Sequence, residues 1–251
     1  MMHKTCFASL GFAALIVMAG CNAQTDQATR TKAEGQESTA ASGEAANKRD
    51  KALVRFVNAA PNQQGLDLWF GDTKAFSGVA FKTVSAYMEL PTERRTFSVR
   101  TANGTTDLAT NNEGLWDGRH YTLVALPKED GTIILHAMND DLAAPDAGKT
   151  KVRVMNAAPR NDDLDLYATG KKDEIFDGVD YNSVTDFKQI DPVAGGVEVR
   201  HENQKTAALR IGDLNLEPGR MYTIIVTGGP GTKLDSIKIE DQLAANKEAG
   251  I

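Results

Sequence analysis

The sequence predicts an all-β protein of two tandem antiparallel β-sandwich domains, and three observations predict it. The stretch VRFVNAAP begins at Val54 and is nearly repeated by VRVMNAAP at Val152. The likeness then continues to the end of both copies, which marks a repeated domain rather than a repeated motif. Finally, each copy is a series of short alternating apolar runs punctuated by turn residues, the pattern of a sandwich of about 100 residues.

The register can be followed residue by residue. Asn58-Ala59-Ala60-Pro61 falls on Asn156-Ala157-Ala158-Pro159, and Leu66-Asp67-Leu68-Trp69 on Leu164-Asp165-Leu166-Tyr167. With a short insertion in the second copy, Phe76, Gly78-Val79, Val84 and Tyr87 meet Phe176, Gly178-Val179, Val184 and Phe187. Gly118-Arg119-His120-Tyr121-Thr122 then meets Gly219-Arg220-Met221-Tyr222-Thr223. Strands are expected over 53–58, 66–70, 76–81, 84–90, 96–101, 120–126 and 132–138, with equivalents in the second copy. Alternation in VRFVN puts Val54 and Phe56 on one face and Arg55 and Val57 on the other. Asn58 and Asn156 end their strands, and Pro61 and Pro159 fix the exit turns. Asp130-Gly131 reads as a tight hairpin turn, with Gly228-Gly229-Pro230-Gly231 in the matching place.

The segment from Leu216 to Thr223 resembles the tyrosine-corner stretch of immunoglobulin-like and fibronectin-type sandwiches, and Leu115, Gly118 and Tyr121 repeat it. The resemblance makes both domains immunoglobulin-like and gives Tyr121 and Tyr222 a structural role. Taken together, the strand-and-turn repeat, the Leu-Asp-Leu-Trp/Tyr motif and Phe76-Ser77-Gly78-Val79-Ala80-Phe81 resemble a bacterial family, domain-of-unknown-function family 4397, often found as tandem copies in exported proteins. That resemblance covers roughly 52–142 and 150–243. It implies fold and location, and the family has no established activity to carry over.

The N-terminus sets the expected compartment. MMHKTCFASLGFAALIVMAGC has one early cation, Lys4, then an apolar run too short to span a bilayer and small residues before Cys21. Its end, Met18-Ala19-Gly20-Cys21, resembles the lipobox of bacterial lipoproteins, with Met18 where Leu is usual. This implies lipidation at Cys21, and Asn22, rather than Asp, after the Cys favours the outer membrane over the inner one. The expected organisation is a signal over 1–20, a tether over 21–50, domains over 51–145 and 150–243, and a tail over 244–251. The tether lacks aromatic residues and Leu, Ile, Val and Met, so it cannot build a core. As a flexible coil it would reach on the order of 30 Å.

Composition and motif content narrow the chemistry. A net charge of -6 provides no basic field for phosphate backbones, so no nucleic-acid partner is expected. Cys6 lies inside the signal, leaving no disulfide or thiol nucleophile in the mature chain. His120, His136 and His201 lack metal-ligand spacing, and neither a zincin motif nor a nucleophile elbow is present. The acidic runs Asn139-Asp140-Asp141 and Asn161-Asp162-Asp163 do not match a calcium loop and read as solvated turns. No enzyme activity, metal or other cofactor is therefore expected.

Asp67 and Trp69, matched by Asp165 and Tyr167, are the candidate ligand-binding residues. Alternation places them opposite Leu66 and Leu68, on an outer face where an aromatic ring beside a carboxylate could hold a sugar. Packing on that face is the structural alternative. Trp116, beside the corner loop, is read as packing. The leading expectation is a noncatalytic, lipid-anchored envelope protein for binding, adhesion or scaffolding, with an envelope protein or a glycan as partner. The alternative is a glycan-binding lipoprotein that uses the Asp/aromatic faces.

Overall fold

The computed structural model of the protein describes residues 50–229 and 231–241. The expected signal, Cys21, the tether up to residue 49, Pro230 and the tail over 244–251 lie outside the described residues. Within them the chain forms sixteen strands in four four-stranded sheets and no helix. One sheet of the first copy has β1 (Lys51–Asn58) flanked by β4 (Met88–Pro91) and β7 (His120–Pro127), with β8 (Ile133–Asp140) beyond β7. The other runs β3 (Thr73–Ala80), β2 (Gly65–Phe70), β5 (Arg94–Thr101), β6 (Ala109–Gly114). The second copy repeats both. Its first sheet is β12 (Lys188–Ile190), β9 (Thr150–Ala157), β15 (Met221–Thr227), β16 (Asp235–Asp241), and its second is β11 (Glu174–Val179), β10 (Leu164–Ala168), β13 (Val197–His201), β14 (Leu209–Ile211).

The all-β, two-sandwich reading holds, with four differences of detail. The first and seventh strands of each copy pair parallel, β1 with β7 and β9 with β15, so each sandwich is not wholly antiparallel. The strand expected over 84–90 is reduced to an isolated bridge from Val84 to Val57, followed by β4. Strand β6, ATNNEG, carries no apolar alternation, and pairing with β5 defines it rather than burial. The Asp130-Gly131 hairpin is longer than a two-residue turn: Pro127 pairs with Ile133, and the Asp130 carboxylate accepts the Thr132 amide at 2.9 Å.

Each sandwich encloses its own core, built from the inward-facing residues of its strands. Val54, Phe56, Leu66, Leu68, Phe97, Val99 and Leu123 fill the first, and Val152, Val154, Leu164, Leu166, Val197, Val199 and Ile224 the second. Asn58 ties the two sheets of its copy together. Its amide nitrogen donates to Gln63 O and Val79 O, both at 3.0 Å, while its carbonyl accepts the Ala60 amide at 3.0 Å. Asn156 repeats this with Val179 O at 2.9 Å and the Ala158 amide at 3.0 Å. Buried amide side chains need such partners, which is why Asn closes both strands.

The tyrosine corners also form. The Tyr121 hydroxyl accepts the Trp116 amide at 3.0 Å, and the Tyr222 hydroxyl accepts the Glu217 amide at 3.2 Å. Tyr121→Phe keeps the buried ring and loses this bond and the long one that the hydroxyl donates to Gly114 O at 3.4 Å, so a loss of about 1 kcal/mol in urea unfolding is expected. An unchanged midpoint would show that the corner is held by the ring alone.

A third apolar cluster lies between the sandwiches. Val57, Ala59, Val124, Leu126 and Met138 of the first copy pack on Met155, Ala157, Ile225, Ile237 and Ile239 of the second. The outward faces of β1, β7, β9 and β15 are therefore buried too, and every residue of β15 is inside. Such strands need apolar residues on both faces, as HYTLVALP and MYTIIVT have.

Candidate functional site

The outward face of β1 carries Arg55 into the seam between the copies rather than into solvent. Arg55 is 4% exposed and Arg153, its repeat equivalent, 3%. Arg55 Nε donates to Thr122 Oγ1 at 2.7 Å, and Thr122 Oγ1 donates to Asp140 Oδ2 at 2.6 Å. Asp140 is also held by Arg153 Nη2, and Arg153 Nε donates to Thr223 Oγ1 at 2.8 Å. Thr223 Oγ1 in turn donates to Asp241 Oδ2 at 2.6 Å, and Asp241 accepts Arg55 Nη2. Six side chains thus close a ring of hydrogen bonds through the interface.

The ring has a two-fold pattern. Arg55, Thr122 and Asp140 of one copy are equivalent to Arg153, Thr223 and Asp241 of the other, and each Arg reaches the Asp of the opposite copy. Two guanidinium groups and two carboxylates make it neutral, which a buried ionic cluster requires. Burial pushes the Arg55 pKa down, but the Asp241 and Asp140 charges beside it outweigh that and raise it. An aromatic ring covers each guanidinium, Tyr87 at 4.8 Å from Arg55 and Phe187 at 4.4 Å from Arg153.

The symmetry breaks at one flank. Tyr87 donates to Asp140 at 2.7 Å and meets His120 edge-on at 5.2 Å, whereas the second copy has Phe187 and Met221 at these places. Burial, with Asp140 adding to it, raises the Tyr87 hydroxyl pKa well above its ordinary value, so this phenol stays a donor. Burial likewise holds the His120 pKa below the usual imidazole value, with Arg55 helping and Asp140 opposing.

Beside this flank a groove of about 860 Å³ opens between the copies. Its walls are the 118–120 turn into β7, the end of β8, the connection through Asp141, Leu142 and Ala143, the start of β9, and the 184–187 stretch ahead of β12. Arg119, His120, Lys151, Asp141 and Asp186 line it together with the apolar Met138 and Phe187, and Lys151 Nζ lies 4.0 Å from Asp141 Oδ2. Lys151 Nζ already holds Ala143 O at 2.8 Å. The acidic run at Asn139 is divided by the fold: Asp140 enters the ring, while Asp141 stays at the groove rim.

The residues singled out from the sequence sit elsewhere and are engaged internally. Asp67 is 1% exposed, not on an open outer face. The β2–β3 register slips on either side of Leu68, and Gly78, with φ of 61°, forms the bulge opposite. Asp67 turns into it, accepting the Gly78 amide at 2.7 Å, the Asn103 amide at 3.3 Å and Lys74 Nζ at 2.6 Å. Asp165 repeats the contact with the Gly178 amide at 3.0 Å. The Leu-Asp-Leu and Phe-x-Gly-Val motifs of each copy are thus the two halves of one bulge. Trp69 and Tyr167 are half-buried, with Arg100 4.5 Å from the Trp69 ring centre and Arg200 4.0 Å from that of Tyr167.

Asp67 makes the fold sensitive to acid. Burial raises its pKa, yet the bonds from Lys74, Gly78 and Asn103 together outweigh that and hold the carboxyl below its ordinary value of 3.8. A depressed folded pKa means stability that is complete above the ordinary value and is lost as pH falls through the folded one. Asp67→Asn should cost about 2 kcal/mol at neutral pH and weaken the fall in stability below pH ~4. Equal acid limbs in urea titrations of both proteins would remove Asp67 from this role.

Two β-sandwiches of like topology, with paired charges in the seam and a groove at one flank, define the class of protein. The sequence profile of the family described as "Domain of unknown function (DUF4397)" matches residues 52–167 and 151–250, and the chain belongs to that family in tandem copies. A search of curated proteins finds no match. Among the described residues no group of three or more His, Cys, Asp or Glu is placed to hold a metal ion.

Proposed function

We propose that this protein is a lipid-anchored cell-envelope protein, attached to the outer membrane through Cys21, whose fused sandwiches act without catalysis as one rigid binding, adhesion or scaffolding unit. The observation that carries this reading is the engagement of the buried ionisable groups with one another. Asp140 and Arg153 reach the groove, yet each is held by several partners of its own. A general acid or base needs a group free to exchange a proton with a substrate. The groove between Phe187, Arg119 and Asp186 offers mixed polar and apolar contacts suited to holding a small segment of a partner.

The test has two arms. Cells given an alkyne-tagged fatty acid should label the wild-type chain in the outer-membrane fraction, and Cys21→Ser should lose both label and membrane attachment. A photo-cross-linking residue replacing Asp186 should trap a discrete envelope component, whereas the same residue replacing Lys172, away from the groove, should not. Turnover of ester, glycoside or peptide substrates by the purified chain would overturn the noncatalytic reading.

A further inference from the structure

Trp116 was expected to pack, and it does not. It is 68% exposed, the most exposed large apolar side chain among the described residues. Its equivalent in the second copy is Glu217, so the corner turn itself does not need an aromatic residue there. Exposing an indole to water has a cost, and Trp is the side chain whose apolar body and polar N–H suit a boundary between lipid and water.

Its place in the fold supplies the second observation. The Trp116 turn is bonded to the first residue of β1: Gly118 donates to Lys51 O at 2.9 Å, and Lys51 donates its amide to Asp117 at 3.4 Å. The chain that runs back toward Cys21 therefore leaves the folded unit beside Trp116. Both copies point the same way, because the ring joins the middles of β1 and β9, while Ala59, just past the end of β1, accepts Thr227 Oγ1 at 2.6 Å and Thr227 pairs with Ala157 at the end of β9. The tether end of the first copy also carries Arg94, at the start of β5, and Arg119, both exposed and without an ion pair among the described residues, with the exposed Asp117 between Trp116 and Arg119.

From this placement the geometry points to a membrane seat: Trp116, flanked by Arg94 and Arg119, enters the headgroup region of the bilayer to which the chain is anchored and sets the standing orientation of both sandwiches. The inference rests on lipid attachment at Cys21. A tether able to reach on the order of 30 Å leaves orientation open. An indole at the interface narrows that freedom, because its favourable partitioning is realised only in the orientation that turns this end of the molecule to the bilayer.

The experiment uses full-length protein purified from the envelope and reconstituted in vesicles of zwitterionic lipid with brominated acyl chains. The chain has two Trp, so the emission lost on bromination in wild type but not in Trp116→Phe reports Trp116. A several-fold loss of that component is expected, with a blue shift relative to detergent-free soluble chain. Leu108, 36% exposed at the opposite end of the β5–β6 pair, is on the order of 20 Å away. Leu108→Trp in the Trp116→Phe protein should remain unquenched. Equal quenching at both places, or at neither, overturns the seat. Flotation of the vesicles and the mass of the Cys21 peptide report the anchor separately: a chain that floats with unquenched Trp116 leaves the anchoring reading standing and removes this one, and a chain that does not float removes both.

Discussion

Arg55→Ala is expected to destabilise the protein by about 3–5 kcal/mol, because it strands a buried carboxylate rather than merely removing a contact. Asp241 would keep its bond from Thr223 and lose its only ion-pair partner among the described residues, with almost no access to water. Arg153→Ala takes the nearer guanidinium from Asp140 but leaves it the Arg55 guanidinium at 3.8 Å and the Tyr87 hydroxyl, whereas Asp241 has no such second pair of partners. The effect of Arg55→Ala should therefore be the larger of the two. Removing both charges of one pair, as in Arg55→Met with Asp241→Leu, should cost less than either single change, since no buried charge is left unpaired. Urea unfolding of Arg55→Ala, Arg153→Ala, Arg55→Met, Asp241→Leu and the double variant checks all of this. Additive losses would mean that the ring does not act as a unit.

That ring shows where reading the sequence succeeded and where it stopped. The duplication is legible because end-to-end similarity survives insertions, and the cores are legible because Val54, Phe56, Leu66 and Leu68 alternate. Alternation sets Arg55 and Val57 together on the second face of β1 but does not say what covers that face. The signal that it is buried is the same Arg at the same strand position in both copies, together with the double-faced apolar runs of β7 and β15. Asp67 misleads for a different reason. Strict alternation fails at a bulge, and pattern alone does not show that Gly78 makes one. Trp116 is exposed despite its apolarity because the corner needs its backbone amide and not its side chain.

A single copy cut from the chain, residues 150–251, is expected to associate into a dimer rather than persist as a stable monomer. Alone, it would expose Met155, Ala157, Ile225, Ile237 and Ile239 as one contiguous apolar patch on the β9–β15–β16 face. Fully burying each larger member of such a patch stabilises by about 1.5–3 kcal/mol, which gives the patch a strong drive to find cover. The isolated copy would also carry Arg153 and Asp241 without their opposite-copy partners. A second identical copy satisfies both demands at once, because in a two-fold interface each Arg153 meets the other chain's Asp241 and the ring closes as it does between unlike copies. Sedimentation at increasing concentration should show a monomer–dimer equilibrium, and Ile225→Asp should abolish the dimer by placing an unpaired charge at the centre of the patch. If 150–251 were instead monomeric with undiminished stability, the seam would be a passive contact and the tether-end geometry of the two sandwiches would be free to vary. A dimer, by contrast, would mean that the linker through Pro145 and Gly148 only joins two faces that recognise each other without it, and that the fixed common orientation of the copies is a property of the fold itself.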